Sequence, residues 1–220
     1  MRGVDADLPL RERKKRKTRK HISDVATRLF IRRGFDQVTV AEVAAAADVA
    51  KMTVFNYFPS KEDLVFDDAL LVERWMAALV RDRAPGMSVV EAVRADFLAS
   101  LNPRDLADGE WRYGRLHGDL VHFWRMVEDS PALRAREHQL AERMAHVLAE
   151  SLGGSLQDRV VASQLCAVLT VLDGEIRRLV LAGETPEAVL AVIVPAAERA
   201  FEGLANGLRD YGRAAPPDAG

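Results

Sequence analysis

Val38–Phe58 reads VTVAEVAAAADVAKMTVFNYF, and this stretch determines how the rest of the chain is interpreted. Its first half repeats small apolar residues at helical spacing, which predicts a short helix with one narrow apolar face. A turn is expected at Asp48–Ala50, because Asp tolerates left-handed backbone better than most residues do. A second short helix follows over 51–58. Two short helices joined by a tight turn form a helix-turn-helix, whose second helix enters the major groove of DNA.

The second helix is predicted to bury Val54, Phe55 and Phe58. Its outward side chains are polar, cationic or long and apolar, namely Lys51, Met52, Thr53, Asn56 and Tyr57. Asn56 suits a base edge, Thr53 suits a base or a phosphate, and Met52 suits a thymine methyl. Lys51 and Tyr57 suit phosphates. A solvated helix face without a partner is the alternative interpretation of this set.

The stretch and its flanks resemble the DNA-binding domain of the tetracycline-repressor (TetR) family. The resemblance covers about Arg19–Phe66. It rests on four signals in order, which are Ala26-x-x-Leu29-Phe30 before Gly34-Phe35, Thr39-Val40, Thr53-Val54-Phe55-x-Tyr57-Phe58, and Ser60-Lys61-Glu62. Asp48 stands where the family often has Gly, and Ala50 stands where it often has Ser or Thr. An alanine N-cap costs about 0.5–2 kcal/mol relative to Ser or Thr.

The resemblance implies an all-α homodimeric transcription regulator, a repressor that a small-molecule effector releases. It implies a three-helix DNA-binding domain over 19–66 and a helical-bundle domain for effector binding and dimerisation over 67–208. A disordered basic arm over 1–18 and a disordered tail over 209–220 flank these domains. A dimer that presents two recognition helices about 34–36 Å apart requires a palindromic operator on double-stranded DNA.

Charge is distributed unevenly along the 220 residues. The net charge is −2, but residues 11–66 hold 13 Lys or Arg against 7 Asp or Glu, a balance of +6 that leaves −8 elsewhere. Eight of the ten residues in RERKKRKTRK, Arg11–Lys20, are basic. A frayed, solvated helix end is the usual interpretation of such a run. Directly before a helix-turn-helix, the run instead favours phosphate neutralisation or entry into the minor groove.

Capping positions predict where several helices begin. Ser or Thr followed three residues later by an acidic residue is the spacing of a capping box, and it occurs at Thr39, Ser60 and Ser88. These positions predict helices from Val40, over 61–81 and from about residue 89. Thr39 and Lys61 lie at the starts of two of these helices, where each can contact a phosphate. They complete the set of residues expected to bind DNA.

The second half of the chain predicts helices over 110–129, 131–152, 156–182 and 186–208. Between Val160 and Leu172 the third of these is apolar almost all round, so it must be covered on both sides. Pairing of the last two helices with the same helices of a second copy would give a four-helix dimer interface. Burial of both helices within one chain is the alternative.

A ligand pocket is expected between the helices of the second domain. The candidates are the larger aromatic residues and one histidine, namely Trp75, Phe97, Trp111, His117, Phe123 and Trp124. A plain core role is the alternative for each of them. The stretch Ser130–Arg136 is also similar to family members that sense acyl-coenzyme A-like ligands. That similarity implies a small apolar or amphipathic effector.

Enzyme chemistry has little support in the sequence. His138, Glu142 and His146 have the spacing of metal ligands on one helix face, but the charged residues around them favour a solvated face. No HExxH, GxSxG, P-loop or GxGxxG pattern occurs, so we predict no enzyme, metal or cofactor. A ligand-binding dimer without DNA function and a helical enzyme remain the alternatives. The lone Cys166 favours a reducing cytoplasm, and no apolar stretch predicts a membrane span.

Overall fold

A computed structural model describes residues 9–67, 69–101, 110–111, 114–115 and 120–207. Its helices are α1 (Leu10–Arg33), α2 (Val40–Ala46), α3 (Lys51–Tyr57), α4 (Ala69–Arg81), α5 (Val89–Ser100), α6 (Leu120–Asp129), α7 (Pro131–Leu152), α8 (Leu156–Leu181) and α9 (Pro186–Gly207). A 3-10 turn spans Glu62–Leu64, and the two-residue strands β1 (Glu110–Trp111) and β2 (Gly114–Arg115) pair antiparallel. Apart from this short ladder, the predicted all-α fold is confirmed.

The chain divides into two compact units. The first comprises Met1–Asp67 with Met126–Arg134, and the second comprises Asp68–Arg125 with Ala135–Gly220. The sequence places 126–134 wholly in the second domain, so this grouping differs from the predicted boundaries. The expected disordered segments before residue 9 and after residue 207 lie outside the described residues. Among the described residues, no helix combines the length and apolar character that a membrane span requires.

The first helix begins eight residues earlier than predicted. The sequence indicates a helix from about Thr18, but α1 starts at Leu10, so the expectation of a disordered arm is wrong from residue 10 onward. Its buried stripe begins only at Ile22, because the basic run that precedes it has no apolar periodicity. Lys and Arg are good helix formers, and they extend a helix that packing stabilises further along.

Most predicted caps are confirmed. The Thr39 hydroxyl accepts from the Glu42 amide at 3.2 Å, and the Glu42 carboxylate accepts from the Thr39 amide at 2.8 Å, which completes a capping box for α2. Ser88 and Glu91 form the same pair at the start of α5. The predicted end of α7 at Gly153-Gly154 is also observed, since both glycines have positive φ.

The predicted helix over 61–81 is wrong in its first part. Ser60 and Asp63 make the predicted capping hydrogen bonds, but these close only the 3-10 turn, and α4 starts at Ala69. The Ser23 hydroxyl donates to the Leu64 carbonyl at 3.0 Å. A continuous helix would use that carbonyl itself, so a tertiary hydrogen bond replaces a helical one.

The predicted helix over 110–129 is also wrong in its first part. Glu110 pairs with Arg115 and Trp111 with Gly114 in the short ladder, and α6 begins only at Leu120. The apolar spacing in this stretch fits a helix, but a glycine inside a helix costs about 1 kcal/mol relative to alanine. His117, a predicted ligand contact, lies outside the described residues.

The core of the second unit is built from α4, α5, α7 and the two long C-terminal helices, α8 and α9. Phe97 of α5 is fully buried, and its ring centroid lies 6.0 Å from that of Phe201 in α9. Pro195 lies inside α9 without ending it. Burial raises the pKa of the Cys166 thiol to about 11. Val171 of α8 is 70% exposed in the single chain, so the alternative of burying α8 wholly within one chain is not observed.

We predict that Glu42 gives the first unit an acid-sensitive component of stability. Hydrogen bonds from the Thr39 amide and hydroxyl, followed by Arg33 at 2.8 Å, lower the pKa of Glu42 to about 2. A carboxyl group with a depressed folded-state pKa stabilises the fold above its ordinary value near 4.5 and loses that contribution as pH falls toward 2. Glu42→Gln keeps a capping acceptor but does not titrate.

The measurement is the midpoint of urea unfolding at pH 7 and pH 3 for both proteins. We expect a smaller difference between the two pH values for Glu42→Gln than for the wild type, since all other carboxyl groups are shared. Equal differences in the two proteins would contradict the prediction.

Candidate nucleic-acid interface

The turn between α2 and α3 is formed as predicted. Asp48 adopts φ 53°, the left-handed conformation that a helix C-terminus requires. The Val49 amide donates to the Ala44 carbonyl at 3.0 Å, and the Asp48 amide donates to Ala45 at 3.2 Å. This pair of bonds is the Schellman arrangement, which fixes the direction in which the chain enters α3.

The recognition helix α3 has seven residues and depends on tertiary contacts for its stability. Its N-cap residue, Ala50, makes no side-chain capping bond, as the sequence predicts. Val54 and Phe58 are buried, at 1% and 0% exposure. An isolated helix of this length is marginal in water, so these two anchors fix its position.

The exposed side of α3 differs from the prediction at one residue. Lys51, Met52 and Asn56 are exposed, and Thr53 and Tyr57 are half-buried. Phe55, which the sequence assigns to the core, is 41% exposed. The buried line runs through residues four apart, and Phe55 lies about 100° from Val54 around the helix, on the flank of that line. The helical spacing alone places Phe55 beside the buried line, whereas its apolar character predicts burial.

Arg19 of α1 contacts the C-terminal end of the recognition helix α3. Its guanidinium carbon lies 4.2 Å from the centroid of the Phe58 ring. One Nη group donates to the Tyr57 carbonyl, and the other donates to the Asp67 carbonyl at 3.2 Å. The last turn of α3 has no basic residue of its own, so Arg19 supplies the cation that a helix C-terminus favours. Sequence analysis missed this role because Arg19 is one of eight basic residues in a run.

We predict that Arg19→Ala lowers the affinity for a specific operator by roughly 10- to 100-fold, the equivalent of one or two charge-assisted hydrogen bonds. Arg28→Ala is the matched control, since it removes the same charge from an exposed position on α1. Affinity is measured for operator and for random DNA. Non-specific binding should fall equally in the two variants, whereas specific binding should fall further in Arg19→Ala. Equal loss of specific binding would contradict a positioning role.

Lys61 and Thr39 already have partners within the chain. The Lys61 ammonium donates to the Phe35 carbonyl at 2.6 Å and lies 4.1 Å from the centroid of the Phe35 ring. Desolvation lowers its pKa, opposed by nearby acidic residues. The Thr39 hydroxyl donates to Glu42 at 2.9 Å. Any phosphate contact must therefore share or replace these bonds.

The basic run is displayed on the first three turns of α1. Its exposed members are Arg11, Arg13, Lys14, Lys15, Lys17 and Lys20. An α-helix is about 10–12 Å across, whereas the minor groove of B-DNA is about 6 Å wide. As a helix, this segment fits phosphate neutralisation, and entry into the minor groove would require it to unwind.

The candidate ligand residues of the second unit fall into different surroundings. Trp75 is half-buried against the core cluster, and Phe97 belongs to that cluster. Trp111 lies in β1. Phe123 is buried, and its ring packs edge-on against Trp124 with the centroids 5.1 Å apart. Among the candidates whose side chains the structure describes, Phe123 and Trp124 are in direct contact with each other.

A charged cluster adjoins Trp124. The Arg177 guanidinium carbon lies 4.1 Å from the centroid of the Trp124 ring. Both terminal nitrogens of Arg177 pair with Glu137 of α7, one of them at 3.2 Å. Arg177 Nε is buried without a hydrogen-bond partner in the described part of the chain. A buried donor without a partner is uncommon and marks a place where water or a ligand can bind.

One described cavity of about 320 Å³ lies elsewhere, between α4 and α5. None of the predicted ligand residues is among those that line it, which are Leu79, Asp82, Arg83, Ala84, Met87, Ala92, Ala95 and Asp96. His138, Glu142 and His146 are all exposed on α7. Among the residues described, no group of three or more His, Cys, Asp or Glu is placed to hold a metal ion.

Comparison with known proteins agrees with this geometry. The sequence pattern of the family described as "Bacterial regulatory proteins, tetR family" matches residues 22–67. The HTH-type transcriptional regulator TcmR of Streptomyces glaucescens is 29% identical over 207 residues, 91% of this chain and 86% of TcmR. The HTH-type transcriptional repressor AcnR of Corynebacterium diphtheriae is 29% identical over 179 residues, 76% of this chain and 83% of AcnR.

A solved structure has the same fold. NalD, the secondary repressor of the MexAB-OprM multidrug efflux pump in Pseudomonas aeruginosa, superposes with a TM-score of 0.51. The match covers 90% of this chain and 99% of NalD at 16% sequence identity, so the likeness concerns the fold alone.

The capped α2, the Schellman turn and the outward face of α3 define a helix-turn-helix DNA-binding protein. Residues 22–67 form a DNA-binding domain of the TetR family. The chain is a DNA-binding transcriptional regulator, as the sequence predicts.

Proposed function

We propose that this protein is a sequence-specific, homodimeric repressor that binds a palindromic operator and is released by a small effector. The observation that carries the proposal is the exposed side of α3, where Lys51, Met52 and Asn56 are free to meet a major groove. In this proposal Asn56 reads a base edge, and Thr53 contacts a base or a phosphate. Lys51, Tyr57, Lys61 and Thr39 contact phosphates.

Two-fold pairing is supported by an exposed apolar stripe on α8. The α8 stripe consists of Val160, Ala167, Val171 and Gly174, which are exposed along one side of the helix, with the exposed polar Gln164 between the first two. Val192 of α9 is also 44% exposed. Pairing of α8 and α9 with their copies would bury these residues in a four-helix interface. The same two-fold axis would present two recognition helices to a palindrome.

The effector site is proposed near Phe123 and Trp124. Their rings offer apolar surface, and the buried Arg177 Nε offers one hydrogen-bond donor. Such surroundings suit a small apolar or amphipathic molecule with an acceptor group. An acyl-coenzyme A-like effector, implied by the resemblance at Ser130–Arg136, is the narrower form of this proposal.

Release follows from coupling between the two sites. An effector that binds best to the conformation in which the recognition helices are wrongly spaced must weaken DNA binding, and DNA must weaken effector binding by the same factor. A cytoplasmic location belongs to the same proposal. It is supported by the single, buried Cys166, which has no second cysteine for an internal disulfide.

The test is selection of bound sequences from a random duplex pool by the purified protein. The proposal predicts a palindromic consensus whose half-sites lie about one helical turn or somewhat more apart. Enrichment of no consensus would contradict sequence-specific binding. Enrichment of a single half-site without symmetry would contradict the dimeric form.

A further inference from the structure

The centre of the exposed face of α3 is apolar. At about 100° per residue, the exposed residues follow one another around the helix in the order Lys51, Phe55, Met52, Asn56. Met52 is 69% exposed and Phe55 is 41% exposed. The two lie about 60° apart, so their side chains are neighbours at positions i and i+3. We name this pair the apolar patch of α3.

The apolar patch is not explained by packing within the first unit. The buried line of α3 already contains Val54 and Phe58. Single exposed apolar residues are common on protein surfaces. Here, however, two large ones are adjacent on a helix of only seven residues, and that helix is the DNA-reading element. The patch is therefore available for contact with whatever α3 binds.

The groups beside the patch suit duplex DNA as its partner. The Lys51 ammonium lies 5.9 Å from the centroid of the Phe55 ring, and Asn56 borders Met52 on the opposite side. The cation suits a phosphate and the amide suits a base edge, so the patch lies between a backbone contact and a base contact. In a major groove, the apolar group that a base presents is the C5-methyl of thymine.

We infer that Met52 and Phe55 together read thymine methyl groups and thereby set part of the operator preference. This inference rests on the proposed function, and it adds Phe55 as a specificity-determining residue. It predicts at least one thymine in each half-site whose methyl contributes to affinity. Asn56 selects by hydrogen bonding and therefore acts independently of that methyl.

The experiment uses the full-length protein and the selected operator, with each thymine replaced in turn by deoxyuridine. This change removes the methyl and keeps every Watson–Crick hydrogen bond. Burial of one such group contributes about 0.8 kcal/mol, so affinity should fall roughly fourfold at a contacted thymine. Replacement at both symmetric positions should lower the affinity roughly fifteenfold, which is the square of that factor.

Three variants test which side chains contact the thymine methyl group. In Met52→Ala and in Phe55→Ala, the ratio of the affinities for the thymine and the deoxyuridine operators should fall toward one, because the apolar contact is already lost. In Asn56→Ala the affinity should fall while that ratio is retained. Circular dichroism and affinity for random DNA check that each variant is folded, which the exposure of all three side chains favours.

The outcomes separate this inference from the proposed function. If selection yields no operator, the proposed function fails. If an operator is found but no deoxyuridine replacement lowers affinity, the inference alone is overturned. An affinity ratio that persists unchanged in Met52→Ala or in Phe55→Ala would also overturn the assignment to the pair.

Discussion

Val171→Glu is expected to convert the protein into monomers and to lower operator affinity by about 10²- to 10⁴-fold, the gain that linking two binding modules provides. Val171 is 70% exposed on the α8 stripe, where pairing with a second copy would bury it. A carboxylate there would be desolvated in the interface without a compensating partner, which opposes association strongly. The chain itself should stay folded, since the side chain is exposed in the single subunit.

Ala99→Glu is the matched control. It places the same charge at an exposed position of α5, in the same unit but away from the α8 stripe. Sedimentation velocity reports the mass of each variant, and titration of labelled operator reports the affinity. A dimeric Val171→Glu with unchanged affinity would contradict the assignment of the α8 stripe to the interface.

Phe58→Ala is expected to destabilise the first unit by about 3–5 kcal/mol, the usual cost of truncating a buried phenylalanine. Phe58 is fully buried at the end of α3, and its ring also supports the Arg19 guanidinium. A small domain has only about 5–15 kcal/mol of stability in total, so this loss is a large fraction. Operator binding should be lost with it, because α3 has no capping bond from its own N-cap.

Phe58→Leu is the control, since it keeps an apolar side chain in the same space. Chemical unfolding followed by circular dichroism should show an early transition in Phe58→Ala. The later transition of the second unit should not move. An unchanged first transition would contradict the view that Phe58 anchors the recognition helix.

The sequence was most informative where structure depends on local hydrogen bonds. The caps at Thr39 and Ser88 and the left-handed turn at Asp48 are formed by residues within five positions of each other. Such contacts are carried by residue type and spacing alone, which is why the helix-turn-helix was predictable.

The errors arise where distant parts of the chain compete for the same groups. Arg19 and Ser23 take the carbonyls of Asp67 and Leu64, so the helix predicted from about Lys61 begins only at Ala69. Neither contact is visible in a window of neighbouring residues. In the basic run the error is an unpredicted helix. The run is helical although it has no apolar periodicity that would predict a helix.

The candidate sites were predictable only in part. The exposed positions of α3 follow from its period, but the apolar character of Phe55 predicts burial that its angular position does not allow. Large aromatic side chains predict an effector site only by their size. Size alone does not distinguish Phe97, packed in the core, from Trp124, which adjoins the ion pair of Arg177 with Glu137.

The most direct test of a specific dimeric regulator is the ratio of two affinities, for the selected palindrome and for a scrambled duplex of equal length, across a range of salt concentrations. We expect a ratio on the order of 10³ or more. We also expect a steep salt dependence for both duplexes, which reports their phosphate contacts. Equal binding to the palindrome and to the scrambled duplex at every salt concentration would contradict specific recognition. The binding would then be due to the charge of α1 alone.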